Sequence, residues 1–225
     1  MTSGRSDPSP RPNAAALRGF GPIGLAVIAV IIVAPSMPLK AFLVLTWAWW
    51  SGTPWREIGY RRPESWTVSV AVGTVFGIAF KLLMKAVVMP LLGADPINAA
   101  YHYLAGNSAA LPFAILTMIV SAGFAEETVF RGYLFERFRT LFGRSIGASI
   151  TTVAITSAVF ALAHFPDQGR AGVEQATMTG LVFGTIYTLT GELSTVMVAH
   201  AAFDLTAVAI IYLNLESQVA HFLFK

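Results

Sequence analysis

Lys81, Lys85, Glu126, Glu127, Arg131, His164, His200 and Asp204 lie in stretches of the chain that are otherwise almost wholly apolar. An ionisable group inside a bilayer costs at least about 2.5–3.5 kcal/mol, so each calls for a partner, a water-filled cavity or a chemical use. In SAGFAEETVFRGYLFERF, Glu127 and Arg131 are spaced i,i+4 and can pair on one helix face. Glu126 points about 100° away from Glu127 on the same helix. One carboxylate neutralised by arginine beside another left free can hold a general base in an apolar site. An interfacial salt bridge on a helix leaving the membrane is the plainer reading. His164 ends ITSAVFALAH with Phe160 one turn earlier, and alone it suits a helix cap. His200 and Asp204 are again i,i+4, and such a pair can simply satisfy two buried polar groups. Lys81 and Lys85 share a face, and long lysine side chains snorkel to the interface.

Taken together, three separate helices each bring acid/base groups into apolar surroundings. The simplest arrangement gathers Glu126, Glu127, Arg131, His164, His200 and Asp204 around one polar site. A carboxylate and imidazoles converging in a dry bundle suit water activation with oxyanion stabilisation. Glu126, His164, His200 and Asp204 are also acceptable zinc ligands, but no HExxH helix accompanies them.

The elements that must position these residues follow from composition. The 225 residues are 55% hydrophobic and 12% charged, against about 25% charged in a soluble domain. Mean hydropathy is +0.65. The charges cluster in residues 1–18, 56–64 and 126–144, leaving long stretches for which water is not a solvent. A soluble enzyme, a disordered chain and a nucleic-acid-binding protein are excluded. The formal net charge of +3 is modest, and basic residues here report orientation rather than a nucleic-acid footprint. There is no cysteine, hence no disulfide, thiolate metal site or cysteine nucleophile.

Residues 1–18, rich in Pro, Ser and Arg, read as a disordered tail. Residues 19–225 read as a single all-α integral-membrane domain, a polytopic bundle of about seven to eight helices. The expected crossings are Phe20–Ala34, Leu39–Trp50 (short, with Trp47, Trp49 and Trp50 as an interfacial belt), Trp66–Leu92, Leu111–Phe135, Ile146–Ala163, Val173–Thr190 and Leu193–Leu213. Gly73 with Gly77, and Gly180 with Gly184, are small-xxx-small pairs that let helices approach closely. Arg5, Arg11 and Arg18, then Arg56, Arg61 and Arg62, then Arg137, Arg139 and Arg144 place the N-terminus and two loops on the cytoplasmic side, with loop 93–110 opposite. On these spans His164 falls at the outer end of its helix, His200 near the inner end of its own, and Glu126 between. A common site therefore needs a tilted or broken helix.

The chain resembles the CAAX protease and bacteriocin-processing family, the type II CAAX prenyl endopeptidase-like proteins. The motifs that carry the resemblance are Glu126-Glu127-Thr-Val-Phe-Arg131-Gly132, Phe160-Ala-Leu-Ala-His164 and His200-Ala-Ala-Phe-Asp204, in that order, over roughly residues 55–213. The resemblance implies a multi-pass membrane protein, an intramembrane glutamate-type endopeptidase in the plasma membrane of a prokaryote. Glu126 would be the general base, His164 its assistant, His200 and Asp204 the groups at the oxyanion, and Glu127, Arg131 and Phe160 supporting residues. It implies no cofactor, and a substrate that is a membrane-associated peptide or protein, in some members a prenylated C-terminal tail. Asp204 stands where prenyl-tail proteases carry Asn. An ionised Asp only accepts hydrogen bonds, so it either acts protonated at the oxyanion or orients His200. The alternative function is a non-catalytic membrane scaffold or bacteriocin self-immunity protein. A proton-coupled transporter would also bury carboxylates, but no repeat symmetry is visible between the halves.

Overall fold

The computed structural model describes residues 17–224. The expected tail therefore lies almost entirely outside the described residues. Its last two members, Leu17 and Arg18, are helical, and Arg18 pairs with Glu57 and Glu136.

Eight helices follow, with no strand among the described residues. They are α1 (Pro22–Val33), α2 (Met37–Trp50), α3 (Trp66–Leu91), α4 (Leu111–Phe142), α5 (Ile146–Ala163), α6 (Phe165–Thr190), α7 (Leu193–Tyr212) and α8 (Glu216–Ala220). Local chemistry sets many of their ends. Proline occupies the first turn of α1, α2, α4 and α6, where its missing N–H costs nothing. Ser65 and Ser145 cap α3 and α5 by accepting from Val68 N and Ala148 N.

Each expected crossing is helical, and α3, α4, α5 and α7 are long and apolar enough to span a bilayer. At 12 and 14 residues, α1 and α2 reach only about 18 and 21 Å at 1.5 Å per residue, short of about 30 Å of hydrocarbon. The sixth helix begins eight residues before the expected Val173, and its first turns hold Asp167, Gln168, Arg170, Glu174 and Gln175; Gly169 breaks it with φ 60°. Large apolar side chains such as Ile146 (83% exposed) and Leu189 (80% exposed) point outward. Outward apolar side chains on spans of this length are solvated by lipid, and the chain is a multi-pass membrane protein.

The small-residue pairs bring backbones together as expected. A side chain at Gly77 would sit 2.2 Å from the Ala199 carbonyl oxygen, and one at Gly73 2.8 Å from that of Thr195. Thus α3 and α7 run in the same direction in close contact, with Phe80, Phe183, Val196 and Phe203 filling the core around them. Gly180 of α6 likewise seats against Ser157 of α5. A second core of Trp47, Val129, Phe130 and Phe160 joins α2, α4 and α5.

Candidate active site

α4 is not a regular α-helix where it carries the acidic pair. Met118–Glu126 and Thr128–Leu134 are π-helical, either side of Glu127. Such widened turns are rare and gather at functional sites.

Glu127 is fully buried, and its Oε1 accepts from two donors, Arg131 Nη1 at 2.7 Å and His200 Nδ1 at 2.6 Å. The Glu127–Arg131 pairing expected from i,i+4 spacing is present. The Arg131 guanidinium lies over the Phe160 ring, 4.6 Å from its centroid, with Phe183 at 5.8 Å. The Phe160 ring also touches both imidazoles, with centroids 4.6 Å from His164 and 6.0 Å from His200. Phe160 is thus the apolar post around which both histidines and the arginine are set.

With Nδ1 committed to Glu127, His200 presents Nε2 to the other two carboxylates. Asp204 Oδ2 is 3.6 Å from it and Glu126 Oε2 is 3.9 Å away. The carboxylate hydrogen-bonded to His200 is thus Glu127, reached from α4, while Asp204, one turn along α7, lies just beyond hydrogen-bond distance. His164 donates Nδ1–H to the Phe160 carbonyl at 2.8 Å, which leaves its Nε2 as the remaining ring nitrogen.

Glu126, Phe160, His164, His200 and Asp204 all line one cavity of about 190 Å³. Glu127 and Arg131 stand behind its wall. The depth conflict between the three motifs resolves in the backbone: α4 is widened by its π turns, and α6 starts directly after His164. Among the described residues no group of three or more His, Asp and Glu side chains is arranged to hold a metal ion.

Lys81 belongs to the same wall. It does not snorkel; it is 5% exposed, donates to Gln175 Oε1 at 2.9 Å, and sits 4.6 Å from the Phe203 ring centroid. Lys85 turns instead to the Pro96 carbonyl and to Glu216, 3.9 Å away. Gln168 and Gln175 of α6 and Tyr101 of the loop between α3 and α4 also line the cavity. The two glutamines lie on either side of the break at Gly169, so helical spacing does not join them in the sequence, and Tyr101, alone in a loop, gives no signal either. Burial first, then the Asp204 and Glu126 carboxylates, push the Tyr101 hydroxyl up to about 12, so it keeps its proton at neutral pH.

Chemically the cavity offers a carboxylate with an unpartnered oxygen (Glu126 Oε2 has no hydrogen-bond partner among the described residues), two imidazoles and a second acid. No curated protein and no solved structure matches this chain. The family model described as type II CAAX prenyl endopeptidase Rce1-like matches residues 108–206. That interval holds Glu126, Phe160, His164, His200 and Asp204, whereas Lys81 and Tyr101 lie outside it. Over that motif-bearing segment, which is less than half of the chain, the protein is similar to the Rce1-like type II CAAX prenyl endopeptidases.

Proposed function

We propose that this protein is an intramembrane endopeptidase that hydrolyses a peptide bond of a membrane-associated peptide or protein, a prenylated C-terminal tail being the family-like substrate. The observation that carries the reading is the division of labour between adjacent carboxylates. Glu127 is consumed by Arg131 and His200, while Glu126 faces a 190 Å³ cavity with both imidazoles. Glu126 takes a proton from a water, which attacks the scissile carbonyl, and His164 assists. His200 Nε2, held in direction by Glu127, faces the developing oxyanion with Asp204 beside it. The proton held by Glu126 then passes to the departing amine, and the C–N bond breaks.

Neither a metal nor another cofactor enters this scheme, so activity is expected to survive chelation. The arginine-rich end of the bundle, with Arg56, Arg61, Arg139 and Arg144, is assigned to the cytoplasm of a prokaryotic cell, the N-terminus with it. The decisive experiment compares membrane peptides from cells carrying wild type or Glu126→Gln. A peptide cut only by wild type, with cleavage reduced about 10²–10⁴-fold in the variant, supports the base role. Undiminished cleavage by a folded Glu126→Gln protein would overturn the base role, and the absence of any peptide cut in a wild-type-dependent way would leave the non-catalytic scaffold reading.

A further inference from the structure

Away from the catalytic cavity, four guanidiniums converge at the end of the bundle where α4 and α6 finish. Arg56, Arg61, Arg139 and Arg144 line a cleft of about 270 Å³, and the last three continue into an adjoining one of about 250 Å³ beside Ser149, Thr188 and Gly191. They arrive from three separate stretches of chain: the short 3-10 turn at Trp55–Ile58 with the loop after it, the last turn of α4, and the α4–α5 loop. Orientation in a membrane requires only that basic residues be numerous on one side. It does not require that they point into one space.

The acids nearby do not neutralise them. Glu57, the carboxylate in the first cleft, is bound to Arg18, and Glu136 is bound to Arg18 and Arg137. Among the described residues none of the four converging arginines forms an ion pair with a carboxylate. Residues 1–16 hold only Asp7 against Arg5 and Arg11, so they carry no surplus of negative charge.

Two of the four are held in place beforehand. Arg139 lies 5.4 Å from the Tyr187 ring centroid and 5.8 Å from that of Phe135. Arg61 crosses the end of α6, where the last carbonyls attract a cation. There Gly191, at φ +64°, leaves it room; a side chain would come within 3.3 Å of Arg61 Nη1. Planar guanidiniums gathered around one space match the several oxygens of a phosphate group.

The rim identifies the source of the phosphate. Leu189 lines the second cleft and is 80% exposed, and Leu141, Ile146 and Ile150, each within two residues of Arg139, Arg144 or Ser149 along the chain, are 55%, 83% and 65% exposed. They continue directly into the lipid-facing surface of α5. We propose that this cleft binds the phosphate-bearing headgroup of an anionic phospholipid, whose acyl chains lie along that apolar rim. Basic pockets at the surface end of a helical bundle are suited to such headgroups.

The test uses purified full-length protein in detergent, with thermal unfolding followed by intrinsic tryptophan fluorescence. Phosphatidylglycerol, phosphatidylcholine and inorganic phosphate are titrated separately. Phosphatidylglycerol is expected to raise the midpoint saturably, with little effect from the other two. Arg56→Gln/Arg144→Gln should unfold like wild type in phosphatidylcholine yet need about 30-fold more phosphatidylglycerol for the same rise, because each cation near a lipid surface contributes about fivefold. Arg62→Gln, whose side chain does not line the clefts, should respond as wild type. An unchanged phosphatidylglycerol response in the double variant would overturn the site. An equal response to inorganic phosphate would overturn the lipid assignment.

Discussion

Removing the guanidinium of Arg131 tests the architecture beneath the chemistry. Arg131 is 2% exposed and Glu127 fully buried, so solvent screening does little for their pair. An exposed ion pair contributes at most about 1 kcal/mol. Breaking a buried one leaves an uncompensated charge and costs about 3–5 kcal/mol. In Arg131→Met, the Glu127 carboxylate retains only its bond from His200, and the guanidinium stack on Phe160 is lost. For a chain of this size about 1 kcal/mol shifts the midpoint by roughly 2–4 °C, so the expected drop is about 6–20 °C. The double variant Glu127→Gln/Arg131→Met should recover most of it. A neutral amide oxygen still accepts from His200 Nδ1–H, and methionine can fill the space between Phe160 and Phe183. Thermal unfolding in detergent, read by tryptophan fluorescence, gives all the midpoints. The reasoning is refuted if Arg131→Met unfolds within about 1 kcal/mol of wild type, or if the double variant loses as much as the two single variants added together.

Asp204→Asn, which puts an amide in place of the carboxylate 3.6 Å from His200 Nε2, should keep cleavage within about tenfold of wild type, while Asp204→Leu should lose about 10² or more; an inactive Asn variant would show that a negative charge is required there. Gly77→Ala forces its Cβ against the Ala199 carbonyl and should cost about 1–3 kcal/mol in thermal stability, with cleavage falling further because His200 is the next residue along α7. Burial opposes ionisation of Glu192, but hydrogen bonds from Ser194, Ser69 and Thr195 prevail and hold its carboxyl below the usual range. Its contribution is therefore complete above the unfolded value of about 4.3 and disappears as pH falls through the lower folded value. Glu192→Gln should flatten that acid limb in a pH series of unfolding midpoints and leave neutral pH little changed.

The residues of the site were legible as types and spacings; their mutual roles were not. Glu127 and Arg131 could be paired from i,i+4 spacing because both lie on one helix. The bond from His200 to Glu127 joins residues 73 apart, and no local pattern encodes it, so Asp204 was the nearer candidate for that task. Lys81 and Lys85 share a face and look alike in sequence, yet one is sealed against Phe203 and the other reaches a loop carbonyl. What separates them is the approach of α6, which is tertiary. Hydrophobic periodicity located the helices well where a whole segment faces lipid. It failed at the start of α6, where Asp167, Gln168 and Arg170 are helical but polar.

The π stretches of α4 also constrain how this gene can vary. A π turn accommodates a surplus residue, and deleting one from a helix rotates everything beyond it by about 100°. Downstream of the site the same helix aims Phe135, Glu136 and Arg137 inward, each no more than 3% exposed. A single-codon deletion within a π turn would instead relax it to α and keep Glu136 and Arg137 in phase with Arg18, whereas one in the regular turn Phe135–Phe142 or Leu111–Thr117 would rotate the two ends of the helix against each other. Length changes among related chains should accumulate in the connecting loops or, within this helix, at its π turns.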